Sequence, residues 1–176
     1  MLLRDDQTIR HRRNTDPLDL ARAAEVLASG SVTDSDPANV VNGLVRDLPG
    51  KWDNRWGAEM RPGGVWLELQ WKTPQMLAHI QLTFDTGFQR QLTLSQQDSV
   101  NATVIRAPQP ETVRDYELLY TATNAKDWTS LGQYQGNHQR LRRHQFAPFT
   151  ATALRLKITG TNGAKEARLY EIRCYA

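Results

Sequence analysis

Four segments of this chain alternate between apolar and polar residues, which is the pattern of strands with one buried face. They run over residues 65–71, 79–84, 116–120 and 154–159. Turn-forming clusters separate them, such as Arg61-Pro62-Gly63-Gly64 and Gly160-Thr161-Asn162-Gly163. Since no long amphipathic helix follows residue 25, the strands have no crossover helices, which excludes a doubly wound nucleotide-binding fold. We therefore predict an all-β protein, an antiparallel sandwich or barrel.

Size and composition indicate one ordinary globular domain. The chain has 176 residues, of which 39% are hydrophobic and 23% are charged. No run approaches the roughly 20 apolar residues of a membrane span, and the charged first 20 residues predict no signal peptide. The single cysteine, Cys174, excludes an internal disulfide and is expected to be a small packed side chain.

The first 25 residues differ from the rest of the chain. Asp16 suits a helix N-cap and Pro17 the first helical position, ahead of the helical pattern Leu18–Ala24. We predict a linker or lead-in helix over residues 1–25 and the β domain over 26–176. A frayed terminus is the alternative.

A long segment, Ser95–Val113, interrupts the strand rhythm. Loops longer than about 12–15 residues are usually functional or disordered, and both interpretations stay open for this one.

The sequence contains no motif of a known catalytic site. HExxH, GxSxG, GxxxxGK and CxxC are all absent, as is a flavin-binding GxGxxG. His138 and His144 lie six residues apart without an evident third metal ligand. We therefore expect a protein that is not an enzyme.

The basic run Arg140–His144 is the strongest local positive charge, on a chain whose net charge is +3. No aromatic residue interleaves it as on a platform for single-stranded nucleic acid. We expect a solvated sheet face and no nucleic-acid partner.

Three phrases carry a family resemblance: Ala38-Asn39-Val40-Val41-Asn42-Gly43, Asn54-Arg55-Trp56-Gly57 and Ala167–Arg173. In this order they resemble the discoidin, or coagulation factor 5/8 type C, domains, which include the bacterial family 32 carbohydrate-binding modules. The resemblance implies a galactose-binding-domain-like jelly-roll β-sandwich of about eight strands, with its two chain ends paired. This chain departs from the family pattern in two respects. It has Asn42 where aspartate is usual, and it lacks the cysteine pair that some members have near their ends.

A looser resemblance concerns Thr83–Phe88 and Asn137–Phe146, which are similar to the C-terminal region of bacterial FAD-dependent oxidoreductases, some labelled xanthan lyases. It implies an enzyme domain upstream of residues 1–25. It also implies an extracellular or periplasmic location, as part of a larger bacterial protein.

The family resemblance also implies a structural calcium ion, held by the first loop and by a glutamate of the last strand. The matching residues are Asn42, Asp47 and Glu171. Calcium takes six to eight oxygen ligands, and the neutral amide of Asn42 weakens the site. The alternative is that Glu171 pairs with an arginine.

Sugar binding requires an exposed aromatic face for the pyranose ring and planar polar groups for its hydroxyls. The predicted loops provide both, and the candidate ligand-binding residues are Trp52, Asn54, Arg55, Asp85, Phe88, Arg90, His138 and Asn162. Trp52 is the best stacking candidate because its neighbours are polar. Arg55 and Arg90 suit a sugar carboxylate, with surface salt bridges as the alternative.

The other tryptophans are expected in or near the core: Trp56, Trp66, Trp71 and Trp128. The sequence thus predicts a monomeric, non-catalytic module that targets an attached enzyme to a polysaccharide. Both neutral and acidic polysaccharides fit this prediction. Two alternatives remain. One is a module that docks on its parent enzyme without binding sugar. The other is a lipid-headgroup binder, for which Phe88 and Val104-Ile105 are the exposed apolar candidates.

Overall fold

A computed structural model describes residues 13–47, 54–88, 90, 93–122 and 127–176. The described part contains seven strands, where the resemblance implied about eight: β1 Glu25–Ala28, β2 Trp56–Glu59, β3 Val65–Phe84, β4 Val113–Thr121, β5 Thr129–Tyr134, β6 Leu141–Thr161 and β7 Glu166–Tyr175. The helices are two 3-10 turns, Leu20–Ala23 and Pro37–Val41, and the short α1, Asp98–Asn101. The predicted all-β class is confirmed.

The strands form two layers joined by two long bent strands. The order along the hydrogen bonds is β2-β7-β3-β6-β4-β5, with β1 also paired to β3. The first half of β3 pairs with β1 and with the second half of β6, whereas its second half pairs with β7 and with the first half of β6. The register of β3 shifts between Gln70 and Gln75, where the strand passes from one layer to the other. All pairings are antiparallel, which gives a β-sandwich.

The core lies between the layers and follows the predicted alternation. Leu67, Leu82, Leu118 and Leu156 are at most 1% exposed. Each such side chain contributes about 1.5–3 kcal/mol by leaving water. Cys174 is also fully buried, as expected.

The sandwich closes by pairing a strand near the start with the last strand. β2 runs antiparallel to β7, from Trp56 opposite Leu169 to Glu59 opposite Glu166. Trp56 is fully buried, and its indole N–H donates to the carbonyl of Gly30 at 3.0 Å. The pairing of the two chain ends is therefore confirmed.

The described part of the predicted lead-in packs on the sandwich. The N-cap of the first helix is Asp19, which accepts from the Ala21 amide, so the prediction of Asp16 as N-cap was wrong. Asp19 also accepts from the Cys174 amide at 3.0 Å, and Ala21 is fully buried. The Trp71 indole donates to the Leu20 carbonyl at 2.8 Å. Residues 1–12 lie outside the described residues, and the boundary at residue 25 stays a prediction.

The long segment between β3 and β4 is folded. Asn101 bridges to Ser95 with two hydrogen bonds, at 2.8 and 2.9 Å, around α1. Glu111 and Thr112 are buried at its end. Residues 95–112 are therefore ordered, and the functional interpretation of this loop remains.

The basic run at the start of β6 was predicted to be a solvated face, and the structure agrees with that prediction only in part. His144 is 7% exposed, and its Nε2 lies 3.1 Å from the Tyr116 hydroxyl. The Tyr134 ring lies against His144, with centroids 4.2 Å apart. Arg143 points the other way and is exposed. The side chains alternate across the strand, so only part of the run meets solvent.

No helix within the described ranges has the length and apolar character needed to cross a membrane.

Candidate functional site

Four loops meet at one end of the sandwich, which we call the loop end. It comprises residues 42–47 with 54–55, residues 85–88 with 90, residues 135–140 and residues 162–165. Asn162 joins two of these loops, because its amide donates to the carbonyls of Thr112 at 3.1 Å and Asn137 at 2.9 Å. The Thr112 hydroxyl donates in turn to the Asp85 carbonyl at 3.0 Å. The loops that carry the predicted sugar-binding residues are therefore neighbours.

Asn162 holds the loops together and is half-buried. Its partner Asn137 is 4% exposed and donates to the Val113 carbonyl at 2.7 Å. The buried amides satisfy backbone groups that the turns leave unpaired. Their described contacts make both residues part of the framework of the loop end.

Asp85 is the most deeply buried charge of the loop end. Its Oδ1 accepts from the Gly87 amide at 2.8 Å. Its Oδ2 lies 3.6 Å from Arg55 Nη1 and 3.5 Å from Arg168 Nη1, and has no hydrogen-bond partner among the described residues. The side chain is fully buried. Two guanidinium groups thus compensate a carboxylate that water does not reach.

Asp47 connects the first loop to the last strand. Its Oδ2 accepts from Arg55 at 2.9 Å and from the Tyr170 hydroxyl at 3.0 Å, and its Oδ1 accepts from the Asn54 amide at 2.8 Å. Burial raises the pKa of Asp47, although these hydrogen bonds and the charge of Arg55 oppose the rise. Three predicted site residues, Asp47, Asn54 and Arg55, therefore share one network.

Arg140 occupies the centre of the loop end and was not among the predicted site residues. Its guanidinium lies 4.4 Å from the Phe88 ring centroid and 5.0 Å from that of Tyr170. It donates to the carbonyl of Phe84 at 3.0 Å and to that of Val45. Burial lowers the pKa of Arg140. The basic run Arg140–His144 marked this residue as positively charged in the sequence. Its contacts with the loops, however, cannot be predicted from the sequence.

Phe88 stands at the rim of the loop end. Its side chain is 52% exposed, although its ring lies against the Arg140 guanidinium. His138 is exposed on the loop before β6. Phe88 is thus an aromatic ring held in place from one side and open to solvent on the other. Trp52, the predicted stacking residue, lies outside the described residues.

Arg90 pairs with an acidic residue. Its two terminal nitrogens donate to the Glu111 carboxylate at 2.6 and 2.8 Å, and Nη2 also donates to Gln109 at 2.7 Å. This bidentate geometry is the strongest form of a guanidinium–carboxylate pair. These contacts correspond to the alternative role of Arg90, a salt bridge.

The predicted calcium ligands are engaged with other groups. Asn42 Oδ1 accepts from the Leu44 amide at 2.7 Å, and both Asp47 oxygens are occupied as described above. Glu171 is 1% exposed, and its Oε2 accepts from Arg173 at 2.7 Å while its Oε1 has no hydrogen-bond partner in the described part of the chain. Burial raises the pKa of Glu171. These oxygens fit an ion-pair network rather than the six to eight ligands of calcium.

The carbonyls of the first loop are also contacted by cations, since Arg13 donates to the Asn42 carbonyl and Arg140 to that of Val45. Across the described ranges, no group of three or more His, Cys, Asp and Glu side chains is placed to hold a metal ion. Calcium binding stays an untested prediction of the family resemblance, and the contacts just described do not favour it.

A two-layer antiparallel sandwich, closed by β2 and β7 and carrying its loops at one end, is a discoidin-like, galactose-binding-domain-like fold. Solved structures confirm this fold. A Streptococcus pneumoniae fucose binding module superposes with a TM-score of 0.66 and 12% identity, over 92% of this chain and 97% of that one.

Two further structures are similar. The family 32 carbohydrate-binding module of Streptococcus pneumoniae EndoD has a TM-score of 0.64 and 18% identity, over 89% of this chain and 98% of that one. The module CpGH89CBM32-5 from Clostridium perfringens, in complex with GalNAc-β-1,3-galactose, has a TM-score of 0.63 and 13% identity, over 90% and 99%.

Sequence comparison adds little on function. A family described as "Domain of unknown function (DUF7402)" matches residues 19–93. No curated protein matches this chain.

Proposed function

We propose that this protein is a non-catalytic carbohydrate-binding module whose sugar site is the loop end. The observation that carries the proposal is Phe88, an exposed aromatic ring held against Arg140 where four loops meet. The fold is shared with solved modules that are named for sugars. An aromatic ring with one open face, beside hydrogen-bonding side chains, is what a pyranose requires.

The Phe88 ring packs on the apolar C–H face of a sugar ring. His138, exposed on the loop before β6, and Asn54 of the first loop are the proposed hydrogen-bonding groups. Trp52, two residues before Asn54 in sequence, stays a predicted stacking residue. Arg140 lies behind the ring and gives the site a positive charge, which favours sugars with a carboxylate. Arg55, Asp85 and Asn162 hold the loops in place through the contacts described above.

A shallow, solvent-exposed site of this kind binds weakly. We expect a Kd in the micromolar to millimolar range, because the open site removes little area from water and binding costs rotational and translational freedom. The module acts by holding an attached enzyme near its polysaccharide, which raises the effective substrate concentration. An upstream enzyme, an extracellular or periplasmic location and a monomeric state belong to this proposal.

The solved structures reported above are named for carbohydrate, which favours a sugar over the two alternatives, a docking module and a lipid-headgroup binder. Sedimentation with anionic liposomes separates the lipid alternative, because a sugar-binding module stays in the supernatant.

Affinity electrophoresis through gels that contain neutral or uronic-acid polysaccharides tests the proposal. We expect at least one polysaccharide to retard the wild-type protein and Phe88→Ala to abolish the retardation. Leu94→Ala is the matched control, because Leu94 is a 69% exposed apolar side chain of the same connection between β3 and β4. Equal retardation of both variants and wild type would rule out Phe88 as part of the site.

A further inference from the structure

The outer face of the β1-containing layer carries a stacked group of two tryptophans and an arginine. The Arg155 guanidinium lies 4.0 Å from the Trp128 ring centroid and 4.7 Å from that of Trp66. Both tryptophans are half-buried on the outer face, so the expectation that they lie in or near the core was wrong, whereas Trp71, 6% exposed, belongs to the core. The outer face of a sandwich is ordinarily polar, which makes these two rings unusual there.

A polar network fixes the stacked group. Glu68 stands directly opposite Arg155 in the β3–β6 register, and its Oε2 accepts from Arg155 Nε at 3.0 Å and Nη2 at 2.7 Å. Gln70 donates to the other oxygen of Glu68 at 2.6 Å. Glu68 is 4% exposed. The rings and the polar groups are therefore positioned before any ligand arrives.

A cleft opens beside this group because one residue of the face is small. Ala153 stands opposite Gln70 on β3 and opposite Thr121 on β4, so only a methyl group fills the space between them. The cleft has two adjoining parts, of about 250 and 540 Å³, which share Gln70, Trp71 and Thr152 in their walls. These volumes suit a small-molecule ligand, for which clefts of about 300–1,000 Å³ are usual.

The cleft is lined by an aromatic ring and by groups that can hydrogen-bond to hydroxyls. The positive and negative side chains in and beside it are equal in number. Trp128 forms one wall, while Gln70, Thr121 and Thr152 supply amide and hydroxyl groups. Glu68 is neutralised by Arg155, and at the far end Glu25 and Lys72 offset one another. The loop end, by contrast, is centred on a guanidinium. The chemistry of the cleft therefore suits an uncharged, hydroxyl-rich ring.

We propose that this cleft is a second saccharide-binding site, separate from the loop end, which takes two or three rings of a neutral oligosaccharide against Trp128 and Gln70. The proposal extends the proposed function to another surface and does not depend on the loop end. A chain bound there runs across the bend where β3 and β6 pass between the layers. Two sites on one module hold a polysaccharide more firmly than either alone.

A ¹H–¹⁵N NMR titration of the full chain with cellotetraose and xylotetraose, and separately with tetragalacturonate, tests the site. The neutral probes are expected to shift the Trp128 indole N–H, the Gln70 side-chain amide and the backbone amides of Thr121 and Ala153. Gln70→Ala should weaken the neutral probe by at least about five-fold, the loss expected for one neutral hydrogen bond. Gln133→Ala, the same change at an exposed position of the same layer, should not.

Ala153→Leu fills the cleft and should abolish the shifts at Trp128, while Phe88→Ala should leave them unchanged. Shifts confined to the loop end for every probe would overturn the second site and leave the proposed function standing. An unaltered affinity in both Gln70→Ala and Ala153→Leu would also overturn it. Shifts at neither surface, at millimolar concentrations of all three probes, would overturn the second site, while the proposed function is tested by the wider set of polysaccharides in affinity electrophoresis.

Discussion

The hydroxyl of Tyr170 donates to Asp47 Oδ2 at 3.0 Å, which ties the last strand to a loop that lies 123 residues earlier in the chain. Both side chains are nearly removed from water. The same aspartate accepts from Arg55, so one carboxylate couples the first loop to the strand that closes the sandwich. The shape of the loop end depends on this contact.

We expect Tyr170→Phe to lower the free energy of unfolding by about 1–3 kcal/mol, because it leaves a buried carboxylate oxygen with one partner fewer. Urea denaturation measures the change. Tyr120→Phe is the control, since the described contact of Tyr120 is the packing of its ring on Phe149 at 4.5 Å. An equal loss in the two variants would show that the hydroxyl of Tyr170 contributes nothing specific.

Asp85→Asn should destabilise the protein by about 3 kcal/mol, since it removes the fully buried negative charge that faces both Arg55 and Arg168. The substitution keeps an oxygen for the Gly87 amide, so the loss reports mainly on charge. Asp115→Asn provides the comparison, because Asp115 pairs with Arg114 at the surface and its loss should cost at most about 1 kcal/mol. Thermal and urea unfolding of both variants check the difference, and similar losses would contradict it.

His144 should make the stability depend on pH. Burial, with the nearby charge of Arg142, lowers the pKa of His144 to about 4, while burial raises that of its partner Tyr116 to about 12. Since the unfolded histidine titrates near 6.5, the unfolded state binds more protons between pH 6.5 and 4. The contribution of neutral His144 to the free energy of unfolding is therefore complete above about pH 6.5. It falls by on the order of 2–3 kcal/mol as the pH is lowered towards 4.

The buried carboxyls of Asp47 and Glu171 act in the opposite direction, because their pKa values are raised and folding favours their protonated forms at acid pH. The measurement is therefore the difference between wild type and His144→Gln in urea midpoint from pH 7 to pH 4. We expect the difference to shrink as the pH falls. His138→Gln, which changes an exposed histidine, should have the same urea midpoint as the wild type at each pH. If the midpoints of His144→Gln and wild type change in parallel with pH, His144 is not the group responsible.

Calcium should have little effect on stability. Because Asp47, Asn42 and Glu171 bind neighbouring side chains and amides, we expect the Tm to be the same in EDTA and in millimolar calcium. A ligand that binds only the folded state stabilises it by RT ln(1 + L/Kd), where L is the free ligand concentration, so the Tm rises when that concentration exceeds Kd. A rise of several degrees with calcium would show that the first loop and Glu171 rearrange into the site that the family resemblance implied.

The strands could be predicted because burial in a sheet has a period of two. Leu67, Leu82, Leu118 and Leu156 all lie at positions that the alternation assigns to the core. The passage of β3 from one layer to the other could not be predicted in this way. It depends on the irregular pairing between Gln70 and Gln75, where the periodic pattern stops.

The meeting of the loops followed from the family resemblance, but their partners did not. Asp85 with Arg168, and Asp47 with Tyr170, are contacts between residues far apart in sequence that only the loop conformations bring together. Arg140 shows the same limit. Its basic neighbours indicated a solvated strand, whereas the half-buried guanidinium contacts the carbonyls of Phe84 and Val45 and the ring of Phe88.

A glycan array probed with the wild-type chain and with Phe88→Ala is the sharpest test of sugar binding at the loop end. We expect the wild-type protein to bind at least one class of neutral or uronic-acid glycan above background, and Phe88→Ala to lose binding of the glycans that occupy the loop end. Binding of no glycan by the wild-type protein, or an identical pattern from the two proteins, would contradict this expectation.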